Sequence, residues 1–240
     1  CAHCDGTRLR PAGAGSERTA DELGRAFPNT RVIVADAEHP VTRLDGRPAL
    51  VVATRGAEPV PDGGYRAVLL LDGPRMLLAD DLRIGEHCLR WWSNAAALAA
   101  PGAPVHLVGV TGPVARALAT WTQPAYARAE LSERAPLRMP PTVRVASVEG
   151  PPAAVALALE TLRADVPDLG PDAVLGPVPV SADVRTDRAL VRFDYAAGAA
   201  ATASLRAAVV AAAVRGRGPR RSQGARNTLR VRVDVPDPDL

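Results

Sequence analysis

The stretch Thr142-Val-Arg-Val-Ala-Ser-Val148 alternates in side-chain character, and this alternation predicts a β-strand. Arg and Val alternate again over residues 228–235, which predicts a strand with a basic face. Helices are predicted over residues 153–162 and 202–214, and further strands over 174–180 and 189–195. The order β-α-β-β-α-β is the split βαβ pattern of a ferredoxin-like α+β sandwich. We therefore expect residues 135–240 to form a small α+β domain.

The chain before this domain has a different pattern. Apolar runs cover residues 31–35, 49–53, 67–71 and 105–109, and predicted helices alternate with them. Strands that are apolar throughout are typical of a parallel sheet covered on both faces. The pattern predicts a three-layer α/β domain over residues 13–134, with Ser16 as the N-cap of its first helix. Prolines 136, 140 and 141 separate it from the second domain.

Composition limits the class of protein. The chain has 240 residues, of which 47% are hydrophobic, so it can bury one large core or two smaller ones. Arginine, proline or glycine interrupts each of its apolar stretches, so we expect no membrane span and a location in the cytoplasm. Three cysteines without a paired framework fit a reducing compartment. Cys88 is most simply a core residue.

Arginine supplies the basic residues of the chain, since the sequence has no lysine. A P-loop requires a lysine that contacts the phosphates, so this chain contains no P-loop. Arginines are dense near its end, and a cluster of this kind is typical of phosphate-backbone contacts. A solvated loop in an arginine-rich chain is the alternative. The predicted DNA-binding residues are Arg215, Arg217, Arg220, Arg221 and Arg226.

Two cysteines open the sequence as Cys1-Ala-His-Cys4. The C-x2-C spacing supplies two of the four ligands of a structural zinc ion, so we expect residues 1–12 to be the end of a zinc module completed by cysteines upstream. The Asp5-Gly6 turn that follows favours this interpretation. Incidental thiols are the alternative.

Several short strings, in their order and spacing, resemble the primosomal replication-restart helicases, the primosomal protein N-prime (PriA) family. The resemblance covers nearly the whole chain and implies that residues 13–134 are the second RecA-like helicase lobe. The strings include Cys1-x-x-Cys4, Ser16-Glu17-Arg18, Phe27-Pro28, Leu71-Asp72, Leu82-Arg83 with Glu86, Glu133-Arg134-Ala135-Pro136-Leu137, Pro140-Pro141, Leu175-Gly176-Pro177 with Arg192, and Val233-Asp234-Val235.

Two departures from the family pattern concern the motor. Where the family has a Gly-Thr-Gln and Lys-Gly-His type of motif, this chain has Arg55-Gly-Ala-Glu-Pro59. Where the family has Gln-x-x-Gly-Arg-x-Gly-Arg, it has Trp91-Trp-Ser-Asn-Ala-Ala-Ala-Leu98, which lacks the arginine finger that stabilises a transferring phosphoryl group. The resemblance therefore implies a degenerate, actinobacterial-type member without ATPase or helicase activity, for which ATP is a doubtful cofactor.

Other candidate chemistry is sparse. The histidines lack a Cys or Asp partner at helix spacing, and no serine lies in a G-x-S-x-G context. Trp91 and Trp92 can stack bases, but a core or interface role is favoured. Asp36 and Asp72 follow strands and are interpreted as helix caps.

The sequence and the resemblance leave three alternative functions. The first is a replication-restart, primosome-assembly protein that binds branched or stalled-fork DNA in the nucleoid, carries zinc, and works with single-strand-binding protein and primosome loading proteins. The second is an ATP-dependent 3′-5′ DNA helicase whose catalytic residues lie upstream. The third is a protein-interaction domain that binds no nucleic acid.

Overall fold

The computed structural model describes residues 15–180, 186–215 and 229–235. The chain divides into two units, Cys1–Tyr126 and Ala127–Leu240. The division falls within the helix Gln123–Arg134, whereas the sequence pattern placed the change at residue 135. Each unit has its own hydrophobic core.

The first unit contains short strands that alternate with helices. Its strands form parallel pairs, β1 with β3, β2 with β4 and β5 with β6. The elements are α1 (Ser16–Ala26), β1 (Arg31–Ala35), β2 (Arg43–Leu44), β3 (Ala49–Ala53), β4 (Val60–Pro61), β5 (Val68–Leu70), α2 (Gly73–Met76), α3 (Ile84–Ala96), β6 (Val105–Leu107), α4 (Gly112–Ala119) and α5 (Gln123–Arg134), the last of which continues into the second unit.

Strands β1, β3, β5 and β6 lie where the apolar runs predicted them and pair in parallel, whereas the sequence did not predict the two-residue strands β2 and β4. Within the described ranges, however, the strands of one pair are not hydrogen-bonded to those of another. A RecA-like lobe with one three-layer sheet therefore stays a prediction from the sequence. The predicted N-cap is displaced by one position, because Gly15 is the N-cap of α1 and Ser16 is its first residue. The Ser16 hydroxyl instead donates a hydrogen bond to the Asp36 carboxylate at 3.3 Å.

The core of the first unit is built on α3. Cys88, Leu89 and Trp92 recur at helical spacing and are almost fully buried, with 0%, 2% and 3% exposure. They pack with β5 and α4. The burial of Cys88 is what its sequence context suggested.

The second unit is an antiparallel four-stranded sheet with two helices. The strand order is β10-β7-β9-β8, and all neighbours are antiparallel. This is the split βαβ arrangement of a ferredoxin-like α+β sandwich. Its elements are β7 (Arg144–Gly150), α6 (Pro152–Asp165), β8 (Val174–Pro179), β9 (Asp187–Phe193), α7 (Gly198–Arg215) and β10 (Arg230–Val233), with short 3₁₀ helices at Pro171–Ala173 and Tyr195–Ala197.

One face of this sheet is buried against both helices. Alternate residues of β7 and β9 point into the core, so that Val148, Val191 and Phe193 meet the buried residues of α6 and α7. Leu162 of α6 and Leu205 of α7 are fully buried there. A smaller cluster of Val143, Val145, Leu175 and Leu190 lies on the opposite face of the sheet.

The prolines of β8 are accommodated because the strand lies at the edge of the sheet. Its pairing with β9 shifts register between Leu175 and Val178, around Gly176 and Pro177. Gly176 has φ +87°, a conformation that favours glycine.

The length and apolar composition of α7 differ from what was expected, namely that no stretch of the chain approaches a membrane span. By length and apolar composition, Tyr195–Arg215 is sufficient to cross a membrane. In the structure, Ala201, Leu205 and Ala208 of this helix pack into the core of the second unit. A core helix of a folded domain meets the same criterion, so the composition alone does not decide its role.

Truncation of the core should destabilise the second unit far more than truncation of its surface. Leu162→Ala removes a fully buried side chain and should lower the free energy of unfolding by about 2–5 kcal/mol. Leu157→Ala is the matched control, since Leu157 lies on the same helix at 39% exposure; it should cost less than about 1 kcal/mol. The urea dependence of amide hydrogen exchange in β7 and β9 measures the free energy of unfolding of both variants. Equal losses would contradict this assignment of the core.

Candidate nucleic-acid interface

Of the residues predicted to bind DNA, one lies in the described part of the chain. Arg215 is the last residue of α7 and is exposed. The others, Arg217, Arg220, Arg221 and Arg226, lie outside the described residues, as do the predicted zinc ligands Cys1 and Cys4. Within the described ranges, no three His, Cys, Asp or Glu side chains are grouped so as to hold a metal ion. Zinc therefore stays a prediction that rests on the two cysteines.

The strand β10 carries two further arginines of the dense region near the end of the chain, which were not among the five predicted DNA-binding residues. Arg230 and Arg232 are exposed, whereas Val231 and Val233 pack against the core. The two arginines consequently lie on the face of the sheet that points away from α6 and α7. We call this the open face and define it by Arg230, Arg232, Glu149, Arg188, Ser147 and Leu190. The alternation of Arg and Val in the sequence predicted this placement of the arginines on one face.

Registers across the sheet place three charged residues in one row. Arg230 lies opposite Glu149, which in turn lies opposite Arg188. The Glu149 carboxylate accepts hydrogen bonds from Nε and Nη2 of Arg188 at 3.2 and 3.1 Å. Ser147 and Leu190, in the row of Arg232, are buried. The exposed charge of the open face therefore comes mainly from β10.

Arg192, which also points to this side, has a structural role. Its Nη2 donates to the backbone carbonyl of Asp172 at 2.6 Å, and its Nη1 donates to that of Leu137 at 3.3 Å. The side chain thus ties the segment before β7 to the sheet. Because its donors face carbonyl oxygens, Arg192 is less available to an outside anion than Arg230 or Arg232.

An ion pair anchors the end of β10. The Arg144 guanidinium donates two hydrogen bonds to the Asp234 carboxylate, at 2.8 and 2.7 Å. These bonds hold the pKa of Asp234 below its usual value, against a weaker opposing effect of burial. Arg144 can lie there because residue 198 is glycine: a Cβ at Gly198 would be 2.6 Å from Nη1 of Arg144.

The two tryptophans of the first unit have different surroundings. Trp92 is buried in the core, and its indole N–H has no hydrogen-bond partner among the described residues. Trp91 is half-buried, and the guanidinium of Arg55 lies 4.2 Å from its ring centroid. Arg55, from the loop that departs from the family motif, thus covers the ring in a cation–π contact.

Two histidines have acidic partners, and for His39 the prediction of no Asp partner at helix spacing is wrong, since Asp36 lies three positions before it. His39 Nδ1 lies 3.2 Å from Asp36, and His87 Nδ1 lies 2.7 Å from Asp81. Asp36 also accepts backbone N–H bonds from Glu38 and His39, so it caps a turn and not a helix. The pKa of Asp36 is lowered, first of all by the backbone bond from His39.

Comparison with known proteins shows the class of the second domain and the relatives of the whole chain. Residues 135–238 match the family described as the Primosomal protein N C-terminal domain, so the α+β unit with its arginine-bearing sheet face is a domain of that class. The chain as a whole is 38% identical to the probable replication restart protein PriA of Mycobacterium tuberculosis (strain CDC 1551 / Oshkosh), over 98% of its own length. The corresponding protein of Mycobacterium leprae (strain TN) is also 38% identical, over 90% of this chain. The chain is a PriA-like protein.

The chain spans about a third of the length of these curated relatives, 37% of the first and 35% of the second.

Loss of the Arg144–Asp234 ion pair should destabilise β10 in a pH-dependent way. Because folding lowers the pKa of Asp234, its contribution to stability is present above about pH 3.9 and is lost as the pH falls through the lowered value. Asp234→Asn should therefore lower the urea midpoint slightly at pH 7, and the difference from wild type should shrink at pH 3 and below. Asp168→Asn, at an exposed aspartate, is the control. A difference that is the same at both pH values would exclude the ion pair as its cause.

Proposed function

We propose that this protein takes part in replication restart as a DNA-binding component of primosome assembly. It binds branched or stalled-fork DNA through shape and phosphate contacts, in the cytoplasm at the nucleoid. The observation that carries this proposal is 38% identity, over 98% of the chain, to a protein named probable replication restart protein. Single-strand-binding protein and primosome loading proteins are the partners that this role implies.

The distribution of charge supports DNA as the ligand. Arginine provides the basic residues of the chain, and its planar guanidinium can bind phosphate oxygens in a bidentate manner. Arg215 is exposed at the end of α7, immediately before the other predicted DNA-binding arginines. Contacts of this kind are made to the backbone and carry little sequence information, which suits a protein that acts at forks of any sequence.

The packing of the first unit supports a role without a motor. We propose that residues 91–98 replace the family's arginine-finger motif, and Ala95, which stands where the motif has its first arginine, is buried in the α3 core. An arginine at this position would be taken out of water without a partner, which is strongly unfavourable. In addition, Arg55 and Trp91 are engaged with each other.

A helicase function is the second candidate, favoured by the length of the relatives. Most of each relative lies outside the region that this chain matches. Catalytic residues for ATP hydrolysis in that remaining part would restore the function of an ATP-dependent 3′-5′ helicase. Cys1 and Cys4 remain proposed ligands of a zinc ion completed by further cysteines.

The protein should bind fork DNA without hydrolysing ATP. The sample for this measurement is the protein together with any further region that it shares with its longer relatives, and its zinc content is checked by metal analysis. Fluorescence anisotropy with a labelled fork should show binding, and phosphate release should not rise when DNA is added. Hydrolysis stimulated by DNA would instead establish the helicase candidate.

Removal of the predicted arginine cluster should weaken DNA binding to a similar extent for all sequences. Arg217, Arg220 and Arg221 changed together to Ala should lower the slope of log K against log salt by about 3, because each phosphate contact contributes about 1. Arg128, Arg163 and Arg206, all exposed on helices, are the matched triple-alanine control with the same change of charge. Equal effects of the two triple variants would remove the cluster from the site.

A further inference from the structure

Two exposed arginines of β10 lie side by side on the open face without an acidic partner in the part of the chain that the structure describes. Arg230 and Arg232 are two residues apart on one strand, so their Cα atoms are separated by about 6.8 Å and their side chains point the same way. In contrast, Arg144 and Arg188 are paired with Asp234 and Glu149. The face thus has two guanidinium groups available to an anionic ligand.

The ligand that fits these groups is a phosphate backbone. Guanidinium groups bind phosphate in a bidentate manner, and two groups at this spacing can reach separate phosphates of one strand. The ring of Phe193 lies on the core side of the sheet, so the open face as defined has no aromatic side chain on which a base could stack. Contacts here would therefore be made to phosphates and not to bases.

An acidic peptide fits this surface less well. Peptide recognition depends on apolar or aromatic anchors that become buried in a pocket of the partner. The apolar side chains on this side of the sheet form one cluster, in which Val143, Val145 and Leu190 are buried and Leu175 is half-buried against them. The open face therefore offers charge without an unfilled apolar site.

Glu149 moderates the charge of this face. Its carboxylate lies between Arg230 and Arg188 in the register and accepts two hydrogen bonds from Arg188. A carboxylate at this point repels an approaching phosphate, and it also neutralises part of the positive charge that would attract one. Its removal should consequently strengthen phosphate binding.

We infer that the open face is a phosphate-contact surface of this protein, in which Arg230 and Arg232 bind a DNA backbone and Glu149 weakens that binding. This inference rests on the proposed function, and it adds Arg230 and Arg232 to the residues that contact DNA.

The test is fork-DNA binding by the full 240-residue chain, measured by fluorescence anisotropy at several salt concentrations. Arg230→Ala with Arg232→Ala should weaken binding by at least about tenfold at low salt and lower the salt slope by about 2. Arg163→Ala with Arg206→Ala is the control: both arginines are exposed on helices α6 and α7, and the change of charge is the same. Glu149→Gln, a nearly isosteric change, should tighten binding several-fold and steepen the slope.

The outcomes separate this inference from the proposed function. If the wild type binds DNA and the β10 double variant equals the control, the open face is not a DNA surface, while the proposed function stands. If the wild type binds no DNA, both fail. If the double variant does not fold, Glu149→Gln decides, and an affinity equal to or below that of the wild type overturns the inference. Loss of binding to a poly-glutamate peptide, with unchanged DNA affinity, would make the face a peptide site instead.

Discussion

The second unit depends on the burial of one face of its sheet against α6 and α7. Fully buried residues, Val148 and Val191 from the strands with Leu162 and Leu205 from the helices, form that contact. Because successive side chains of a strand point to opposite faces, this burial also determines what the other face displays. A shift of one residue in the register would expose the valines of β10 and turn its arginines into the core. The basic open face is thus a consequence of how the core packs.

Strand β10 lies at an edge of the sheet and pairs only with β7 among the described strands. A short edge strand has one set of hydrogen bonds and is held less firmly than a central strand. The Arg144–Asp234 ion pair and the packing of Val231 and Val233 compensate for this. The same edge position leaves Arg230 and Arg232 accessible, so anchoring and exposure are combined in one strand.

In the first unit, the residues that we propose to replace a motor motif take part in the hydrophobic packing. Trp92 and Ala95 lie in the α3 core, and Arg55 from the altered loop covers Trp91. An arginine finger must reach an anionic ligand from a polar, accessible position. A segment whose side chains fill a core cannot supply one without losing that packing. The packing of this segment therefore supports the proposed role without a motor.

The sequence by itself determined the order of helices and strands in the second unit, because alternation of period two and continuous apolar runs depend on local side-chain order alone. The density of arginines after α7 and the family resemblance were also visible in it. Only the tertiary structure decided which arginines are available to bind an anion. Arg188 is paired with Glu149, and Arg192 donates to the carbonyls of Leu137 and Asp172. Arg230 and Arg232, in contrast, are exposed. The partners of His39 and His87 lie only three and six positions away, but these contacts depend on local turn geometry. For the arginines, the reason is that strand register and loop geometry bring together residues tens of positions apart, and no local pattern encodes those distances.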